Sequence, residues 1–271
     1  MKAALIQMRT VADKAENLRH ARELIDEAAK NGADICVLPE MFCCEYRNRS
    51  FIENREPAGG PAWQMLSAAA RENRVWLIGG SVPEAEDGRL YNTAFVFDRE
   101  GNQAARCRKS HLFDIAVEGG QHFKESATFT PGNEICSFDT EFGKLGLCIC
   151  FDMRFPELAR IMSLDGAWAV FCPASFNMTT GPAHWEVMFR SRAVESQVYT
   201  LGCAPARDEQ GSYVSYANSI AVSPWGDVLA RAGAEETTLY VELDPAYVES
   251  IRAQLPLMSA RRTNMYRLER I

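Results

Sequence analysis

The segment KLGLCICFDMRFPEL, from Lys144 to Leu158, joins an apolar run to a cluster of reactive and charged side chains. The apolar run predicts a buried strand that ends at Cys150, and Pro156 suits the first turn of a helix that follows at once. Cys148 and Cys150 both lie at the end of this predicted strand. The segment therefore indicates a strand–turn–helix unit, and it raises the question of whether either thiol is a nucleophile.

Helical and strand patterns alternate along the rest of the chain. Leu18, Ala21, Ile25 and Ala28 recur at helical spacing, and Gly32 suits the end of that helix. Strand pairs joined by short turns are predicted at residues 90–110, 134–152 and 216–233, and one further strand at residues 75–83. The alternation predicts an α/β fold, and the hairpins predict mixed sheets. No repeat or linker interrupts the pattern, so we expect one domain over residues 1–271.

Composition narrows the class of protein. The chain has 271 residues, 47% of them hydrophobic, and a formal net charge of −7. Its apolar runs are shorter than the roughly 20 residues that span a bilayer, and no signal peptide is recognised, so we expect a cytoplasmic protein. The acidic balance argues against a nucleic acid partner. The nine cysteines include no C-x-x-C pair and the four histidines lack ligand spacing, so we expect no metal and no cofactor.

Three predicted strand ends carry ionisable groups, namely Glu40 in VLPE, Lys109 in RCRKSHLFD and Cys150 in CICFDMRFPE. Sites in α/β proteins commonly lie beyond such strand ends. Taken singly, each residue fits an ordinary structural role as a solvated carboxylate, an edge-strand cation or a buried thiol. Taken together, they supply a base, a cation and a nucleophile. We expect Lys109 and the helix start at Pro156 to lower the pKa of the Cys150 thiol. The set predicts an amide or nitrile hydrolase.

The same three stretches resemble a known family. LPE, RKxHLFD and C-aromatic-D-x-RFPE are similar to the signatures of the nitrilase superfamily of carbon–nitrogen hydrolases, and the similarity runs from ALIQM to RRTNMY. The resemblance implies that Glu40 is the general base, Lys109 the cation that stabilises the oxyanion, and Cys150 the nucleophile, with Glu125 as a second glutamate of the site. It also implies a four-layer α-β-β-α sandwich, and a homodimer with the tail, residues 255–271, near the contact.

The resemblance also distinguishes the two thiols. Cys150 falls in the motif, whereas Cys148 lies two residues earlier. Strand alternation would keep both side chains on one face, so position along the strand decides between them. We expect Cys150 to end the strand where a substrate can enter, and Cys148 to lie deeper in the sheet.

Two further segments indicate the substrate class. FNMTTGPAHWEV and APARDEQGSYVSY look closest to omega-amidases, which hydrolyse the terminal amide of 2-oxo-glutaramate and 2-oxo-succinamate to the dicarboxylate and ammonia. We expect Arg154 to bind the substrate carboxylate through its planar fork. The alternative is that Arg154 pairs with Asp152 or Glu157 as a structural clamp. Deaminated glutathione, N-carbamoyl amines and nitriles remain alternative substrates within the superfamily.

Phe176 and Thr180 match pocket positions of the family, although Thr180 also suits the cap of a helix beginning near Pro182. Phe151 is a further candidate for substrate binding. Two segments, 43–50 and 216–219, depart from the usual omega-amidase pattern and bear on the choice of substrate.

Three functions of other classes compete with this interpretation. The first is a thiol protease that uses His111 or His184 with a cysteine, although neither region resembles a protease motif. The second is a nucleotide-binding module at LIGGSVPE, which lacks the complete G-x-G-x-x-G pattern. The third is a catalytically silent scaffold, which the presence of all four site residues disfavours.

Overall fold

The computed structural model describes residues 1–211 and 213–270. Six α-helices run along the chain, with α1 Lys14–Lys30, α2 Asn48–Glu53, α3 Pro61–Asn73, α4 Pro156–Leu164, α5 Gly181–Ser196 and α6 Pro245–Gln254. None of the helices in this described part of the chain combines the length and apolar character that crossing a bilayer requires.

Fifteen strands form three sheets in these residues. The strands are β1 Lys2–Gln7, β2 Ile35–Val37, β3 Trp76–Ile78, β4 Val82–Glu86, β5 Arg89–Phe97, β6 Gln103–Arg108, β7 Asp114–Ala116, β8 His122–Lys124, β9 Cys136–Thr140, β10 Gly143–Leu147, β11 Ala169–Pro173, β12 Tyr199–Cys203, β13 Ile220–Val222, β14 Val228–Arg231 and β15 Thr237–Glu242. One sheet has the order β15-β1-β2-β3-β5-β4, with β6 paired to β5. A second has the order β14-β13-β12-β11-β10-β9, and β7 pairs with β8 alone. Parallel and antiparallel pairs coexist in both large sheets, so the predicted mixed sheets are confirmed.

The two large sheets pack face to face. Side chains alternate along β1, so that Ala3 and Leu5 join the core between the sheets while Ala4 and Ile6 face the helices. Across the interface, the Cys203 thiol donates a hydrogen bond to the Val37 carbonyl oxygen at 3.2 Å. Both sheets are thus covered on one face by each other and on the other face by helices.

The outer layers are helical. Ile25 of α1 and Leu66 of α3 pack in the core on the outer face of the first sheet. On the second sheet, α4 and α5 lie so close that a Cβ on Gly146 would come within 2.6 Å of Met162, and one on Gly202 within 2.5 Å of Phe189. The predicted four-layer α-β-β-α sandwich is confirmed.

Three local predictions are wrong or incomplete. Strand β10 ends at Leu147 and not at Cys150, because the backbone turns into a short 3-10 helix, Cys150–Arg154, in which Cys150 has φ of +47°. The stretch 75–83 forms two strands and not one, because Gly80 has φ of +57° and packs against the Pro39 carbonyl. Helix α2 and the β7–β8 hairpin have no counterpart in the sequence patterns.

Candidate active site

Three loop or strand-end segments bring two carboxylates and one ammonium group together. Glu40 follows β2, Lys109 follows β6, and Glu125 begins a 3-10 turn directly after β8. Lys109 Nζ donates to Glu40 Oε1 and to Glu125 Oε2, each at 2.8 Å. All three residues are buried, with exposed fractions of 2% for Glu40, 1% for Lys109 and 0% for Glu125. A buried lysine with two carboxylate partners forms a charge cluster that water does not screen.

Asn92 is a fourth member of this cluster, which sequence reasoning missed. It lies within β5, and its Nδ2 donates to Glu40 Oε1 and Glu125 Oε1, each at 2.9 Å. The backbone N–H of Phe113 adds a further hydrogen bond to Glu125 Oε2 at 2.6 Å. The available signal was an amide side chain in the otherwise apolar stretch LYNTAFVF. Asn92 therefore ties the two carboxylates of the cluster to each other.

The two oxygens of Glu40 differ in their surroundings. Oε1 accepts hydrogen bonds from Lys109, from Asn92 and, at 3.3 Å, from the Tyr46 hydroxyl. Oε2 is buried and has no hydrogen-bond partner within residues 1–211 and 213–270. Tyr46 lies in the segment 43–50, so this segment reaches the centre of the site. One oxygen of Glu40 is thus fixed and the other is available for proton transfer.

The Cys150 thiol lies at the turn between β10 and α4 and is 3% exposed. The backbone N–H of Ser175 donates to its Sγ at 3.5 Å. Cys148 is buried in the same core and lies beside Cys172. The left-handed backbone conformation of Cys150 is uncommon outside glycine and is typical of functional turns. Cys150 and Cys148 therefore do not share a strand face, contrary to the prediction.

Burial dominates the ionisation of the thiol. It raises the pKa of Cys150 well above the usual value, and the charge of Glu40 raises that pKa further, while Lys109 and the Ser175 amide oppose them. The expected lowering of the pKa by Lys109 and the start of α4 is therefore wrong in its net direction. The cause is desolvation, which disfavours the thiolate more than one cation favours it. Burial thus favours the thiol form of Cys150 beside Glu40.

Burial also changes the pKa values of Glu40 and Lys109. Burial raises the pKa of Glu40, against the opposing charge of Lys109. For Lys109, burial lowers the pKa, but the charges of Glu125 and Glu40 outweigh it and raise that pKa well above the usual value. The two carboxylates thus favour the charged form of Lys109, and Glu40 holds a proton more readily than a solvated glutamate.

Arg154 has neutral neighbours. Its NH1 contacts His184 Nδ1 at 3.0 Å and Met188 Sδ at 3.7 Å, and its guanidinium lies 4.7 Å from the ring centroid of Phe176. In the part of the chain that is described, no carboxylate lies within ion-pair distance of it. Burial lowers the pKa of Arg154. The clamp that would have neutralised Arg154 is therefore not formed.

Asp152 instead joins two motifs. Its Oδ1 contacts the backbone N–H and Nδ1 of His111, each at 2.8 Å, and its Oδ2 accepts from the Ile149 N–H at 3.1 Å. The His111 ring also stacks on Phe155 at 3.6 Å. This carboxylate links the turn that carries Cys150 to the segment that follows Lys109. His111 and His184 are thus engaged with Asp152 and Arg154, which disfavours the thiol protease.

Two of the other predicted pocket residues, Phe151 and Phe176, lie beside Arg154. Phe176 is buried against Trp185, and Phe151 lies 5.7 Å from the Arg154 guanidinium. Thr180 precedes α5 but makes no side-chain capping bond to it, because its hydroxyl donates to Asn177 Oδ1. The alternative role of Thr180 as a side-chain cap is therefore not observed.

A cavity of about 60 Å³ opens beside the charge cluster. Glu40 and Ser175 line it together with Tyr46 and Tyr213, whose rings lie 4.6 Å apart. The Tyr213 hydroxyl donates to the Ser175 carbonyl oxygen. Sequence reasoning did not single out either tyrosine, although both lie in the segments used to judge the substrate class. Across residues 1–211 and 213–270, no three His, Cys, Asp or Glu side chains are grouped to hold a metal.

Residues 2–253 match the model of a protein family described as carbon–nitrogen hydrolase. Omega-amidase NIT2 from Mus musculus is 46% identical over 266 residues, which cover 98% of this chain and 96% of that protein.

Solved structures show the same relationship. Saccharomyces cerevisiae Nit3, a member of branch 10 of the nitrilase superfamily, matches with a TM-score of 0.89 at 39% identity, covering 97% of this chain and 96% of that one. An amidase from Nesterenkonia sp. AN1, with acrylamide added at its active-site cysteine, matches with a TM-score of 0.78 at 27% identity. That match covers 94% of this chain and 98% of the other.

Proposed function

This chain belongs to the carbon–nitrogen hydrolase family, and from that premise we propose that it is an omega-amidase that cleaves the terminal amide of a small dicarboxylate monoamide. Its substrates would be 2-oxo-glutaramate or 2-oxo-succinamate, and its products the dicarboxylate and ammonia. The observation that carries the proposal is the buried cluster of Glu40, Lys109 and Glu125 beside the Cys150 thiol. The similarity to omega-amidases supports the substrate class.

The first half of the reaction forms a thioester. Glu40 Oε2 takes the thiol proton as Cys150 Sγ bonds to the amide carbon, and the carbonyl electrons move to the oxygen. Lys109 Nζ and the backbone N–H of Phe151 stabilise this oxyanion. The tetrahedral intermediate then breaks its C–N bond, and Glu40 returns the proton to the leaving nitrogen. Ammonia leaves and the acyl group stays on Cys150.

The second half consumes one water molecule. Glu40 takes a proton from water, whose oxygen attacks the thioester carbon. The C–S bond then breaks, the sulfur recovers the proton from Glu40, and the carboxylic acid product leaves. The pKa values of Cys150 and Glu40 are both raised, so the proton passes between two groups that each hold it more tightly than in water. Glu40 takes the proton from the neutral thiol, and the reaction needs no preformed thiolate.

Glu125 and Asn92 hold the catalytic lysine and base in place. Glu125 accepts from Lys109 Nζ, so the ammonium group keeps one carboxylate partner while it turns toward the oxyanion. Asn92 donates to Glu40 and Glu125 at once. Both act through Lys109 and Glu40 and not on the substrate.

Arg154 binds the distal carboxylate of the substrate in this proposal. A partly buried cation with only neutral neighbours lacks a counter-charge, and a substrate carboxylate supplies one with two parallel hydrogen bonds. Phe151 and Phe176 lie beside the same guanidinium, and Thr180 is a further pocket residue in this proposal by resemblance alone. Arg154→Lys keeps the charge but loses the fork, so it should raise KM for 2-oxo-glutaramate and affect an uncharged short amide much less. Equal effects on both substrates would assign Arg154 a structural role.

The decisive test is an ammonia-release screen over omega-amides, deaminated glutathione, N-carbamoyl amines and nitriles. The highest kcat/KM should belong to 2-oxo-glutaramate or 2-oxo-succinamate, and Cys150→Ala should remove activity toward them. A higher value for deaminated glutathione would make the protein an amidase of that substrate.

The tail supports a homodimer as the assembly. Met265 and Tyr266 are 69% and 54% exposed, which is unusual for such large apolar side chains and is explained if a second copy covers them. We also propose a reducing compartment such as the cytoplasm, because all nine cysteines are unpaired thiols.

A further inference from the structure

The contact between Arg154 and His184 is not used by the proposed reaction. A guanidinium group can only donate hydrogen bonds, so His184 Nδ1, at 3.0 Å from Arg154 NH1, is the acceptor. A ring that accepts at Nδ1 carries its single proton on Nε2 and brings no charge of its own to the contact. The nearest other partners of this guanidinium are a thioether sulfur and the faces of two aromatic rings. Within the described residues, His184 is the one side chain that gives Arg154 a directional nitrogen or oxygen acceptor.

The aromatic rings alone do not orient the guanidinium. Attraction to a ring face sets the distance of the cation from Phe176, but it leaves the cation free to turn about the normal to the ring. A hydrogen bond from NH1 to a fixed acceptor removes this freedom. Because the acceptor is neutral, it orients Arg154 without cancelling the charge that a substrate carboxylate needs. A glutamate at the same place would orient the group and neutralise it.

The backbone of His184 is firmly placed, while its side chain is exposed and is held by the contact with Arg154. It lies in the first turn of α5, where its backbone N–H donates to the Thr180 carbonyl oxygen at 2.9 Å. The next residue, Trp185, is fully buried and its Nε1 donates to the Asn218 carbonyl oxygen at 2.7 Å. His184 and Met188 are four residues apart on α5, so both face Arg154 from one side of the helix. The helix start thus fixes the backbone position from which Nδ1 reaches Arg154.

We propose that His184 is a positioning residue that aims the Arg154 fork at the distal carboxylate of the substrate. This inference rests on the proposed function, in which Arg154 binds that carboxylate. The role belongs to Nδ1 of the imidazole, and no proton transfer to or from the reacting atoms is assigned to His184. Its loss should therefore weaken binding of the charged amide and leave the chemical step largely intact.

The test compares His184→Ala, His184→Asn and His184→Gln by steady-state ammonia release. The substrates are 2-oxo-glutaramate and an uncharged short amide. His184→Ala should raise KM for 2-oxo-glutaramate roughly tenfold, the loss expected for about one charge-assisted hydrogen bond, with a much smaller change in kcat. The uncharged amide should show only a small fraction of that effect. His20→Ala serves as the matched control, because His20 pairs with Glu236 and not with Arg154.

The two amide replacements distinguish the loss of the hydrogen-bond acceptor at Nδ1 from the loss of side-chain volume. The side-chain oxygen of asparagine occupies the place of Nδ1, whereas that of glutamine lies one bond further out, near Nε2. His184→Asn should therefore recover most of the binding, and His184→Gln less. In an Arg154→Lys background, His184→Ala should add little, because the fork that it positions is already absent.

Failure of this inference and failure of the proposed function give different results. If the unmodified protein releases no ammonia from either amide, the proposed function fails. If it hydrolyses 2-oxo-glutaramate but His184→Ala leaves KM at the unmodified value, the inference about His184 is wrong and the proposed function stands. The inference is equally wrong if His184→Ala impairs both substrates to the same extent, or if His184→Asn behaves like His184→Ala.

Discussion

Removal of the Asn92 amide is expected to move the acid limb of the activity profile. The side chain donates two hydrogen bonds of 2.9 Å to buried carboxylates, one on Glu40 and one on Glu125. Hydrogen bonds to charged groups contribute about 1.5–3 kcal/mol each. Asn92→Ala therefore withdraws about that much stabilisation from the ionised form of Glu40, and a similar amount from Glu125.

The sign and size of the shift follow from this bond. Burial already raises the pKa of Glu40, and loss of a donor to its ionised form raises it again. One pKa unit corresponds to about 1.4 kcal/mol, so a loss of about 1.5–3 kcal/mol gives a rise of about one to two units. The proposed base must be deprotonated to act. The acid limb of kcat/KM should therefore move to higher pH by that amount, as an apparent value of the coupled cluster.

The assay is ammonia release from 2-oxo-glutaramate across the acid and neutral range, with Asn92→Ala and the unmodified protein side by side. Asn102→Ala is the matched control, because Asn102 lies in a surface turn and donates to Asp98. Circular dichroism at each pH establishes that the variants are folded. A folded Asn92→Ala protein with the acid limb at its original pH would refute the assignment of Glu40 as the base held by Asn92.

Four further predictions test other parts of the molecule. Cys150→Ala should abolish turnover while Cys148→Ser retains it, and mass spectrometry of trapped substrate should locate the adduct on Cys150 alone; an adduct on Cys148 would reverse the assignment. Tyr46→Phe should lower kcat less than tenfold, because Oε1 of the base keeps two other donors; a loss of about a thousandfold would instead place the hydroxyl in the chemistry. Asp152→Asn should destabilise the fold by about 1–3 kcal/mol in urea titration, because a buried carboxylate with three contacts is replaced, and unchanged stability would show that the link is dispensable. Deletion after Leu257 should weaken the dimer in sedimentation, and a full-length monomer at micromolar concentration would contradict the dimer.

The α/β class and the mixed sheets were predictable because helices and strands have periods that a single sequence displays, whereas the four-layer arrangement was predicted only from the family resemblance. Strand and helix patterns recur over most of the chain, and strand ends with Glu40, Lys109 and Cys150 stand out as ionisable groups beside apolar runs. Glu40 and Lys109 follow strands of one large sheet and Cys150 follows a strand of the other, so their convergence depends on the packing of the two sheets. Glu125 was identified only by resemblance, because HFKES has no distinctive pattern around it.

The remaining features depend on tertiary structure. Asn92 meets Glu40 because β5 pairs with β3 in the same sheet as β2, a register that the local pattern does not contain. The pKa of Cys150 depends on how completely the thiol is desolvated, so nearby charges alone predicted the wrong sign. Helix α2 and the β7–β8 hairpin are too short for periodicity to reveal them. The neutral surroundings of Arg154 likewise arise from α5, which is distant in sequence.

The unequal oxygens of Glu40 impose an order on the reaction proposed here. Oε1 already accepts three hydrogen bonds, whereas Oε2 has no partner among residues 1–211 and 213–270. Every proton that moves between thiol, ammonia and water must then use the same atom. An atom that holds the thiol proton cannot accept one from water, so ammonia must leave before water is activated. The thioester therefore exists for an interval after ammonia has left and before water attacks. An added amine that enters the site in that interval would compete with water for the acyl group.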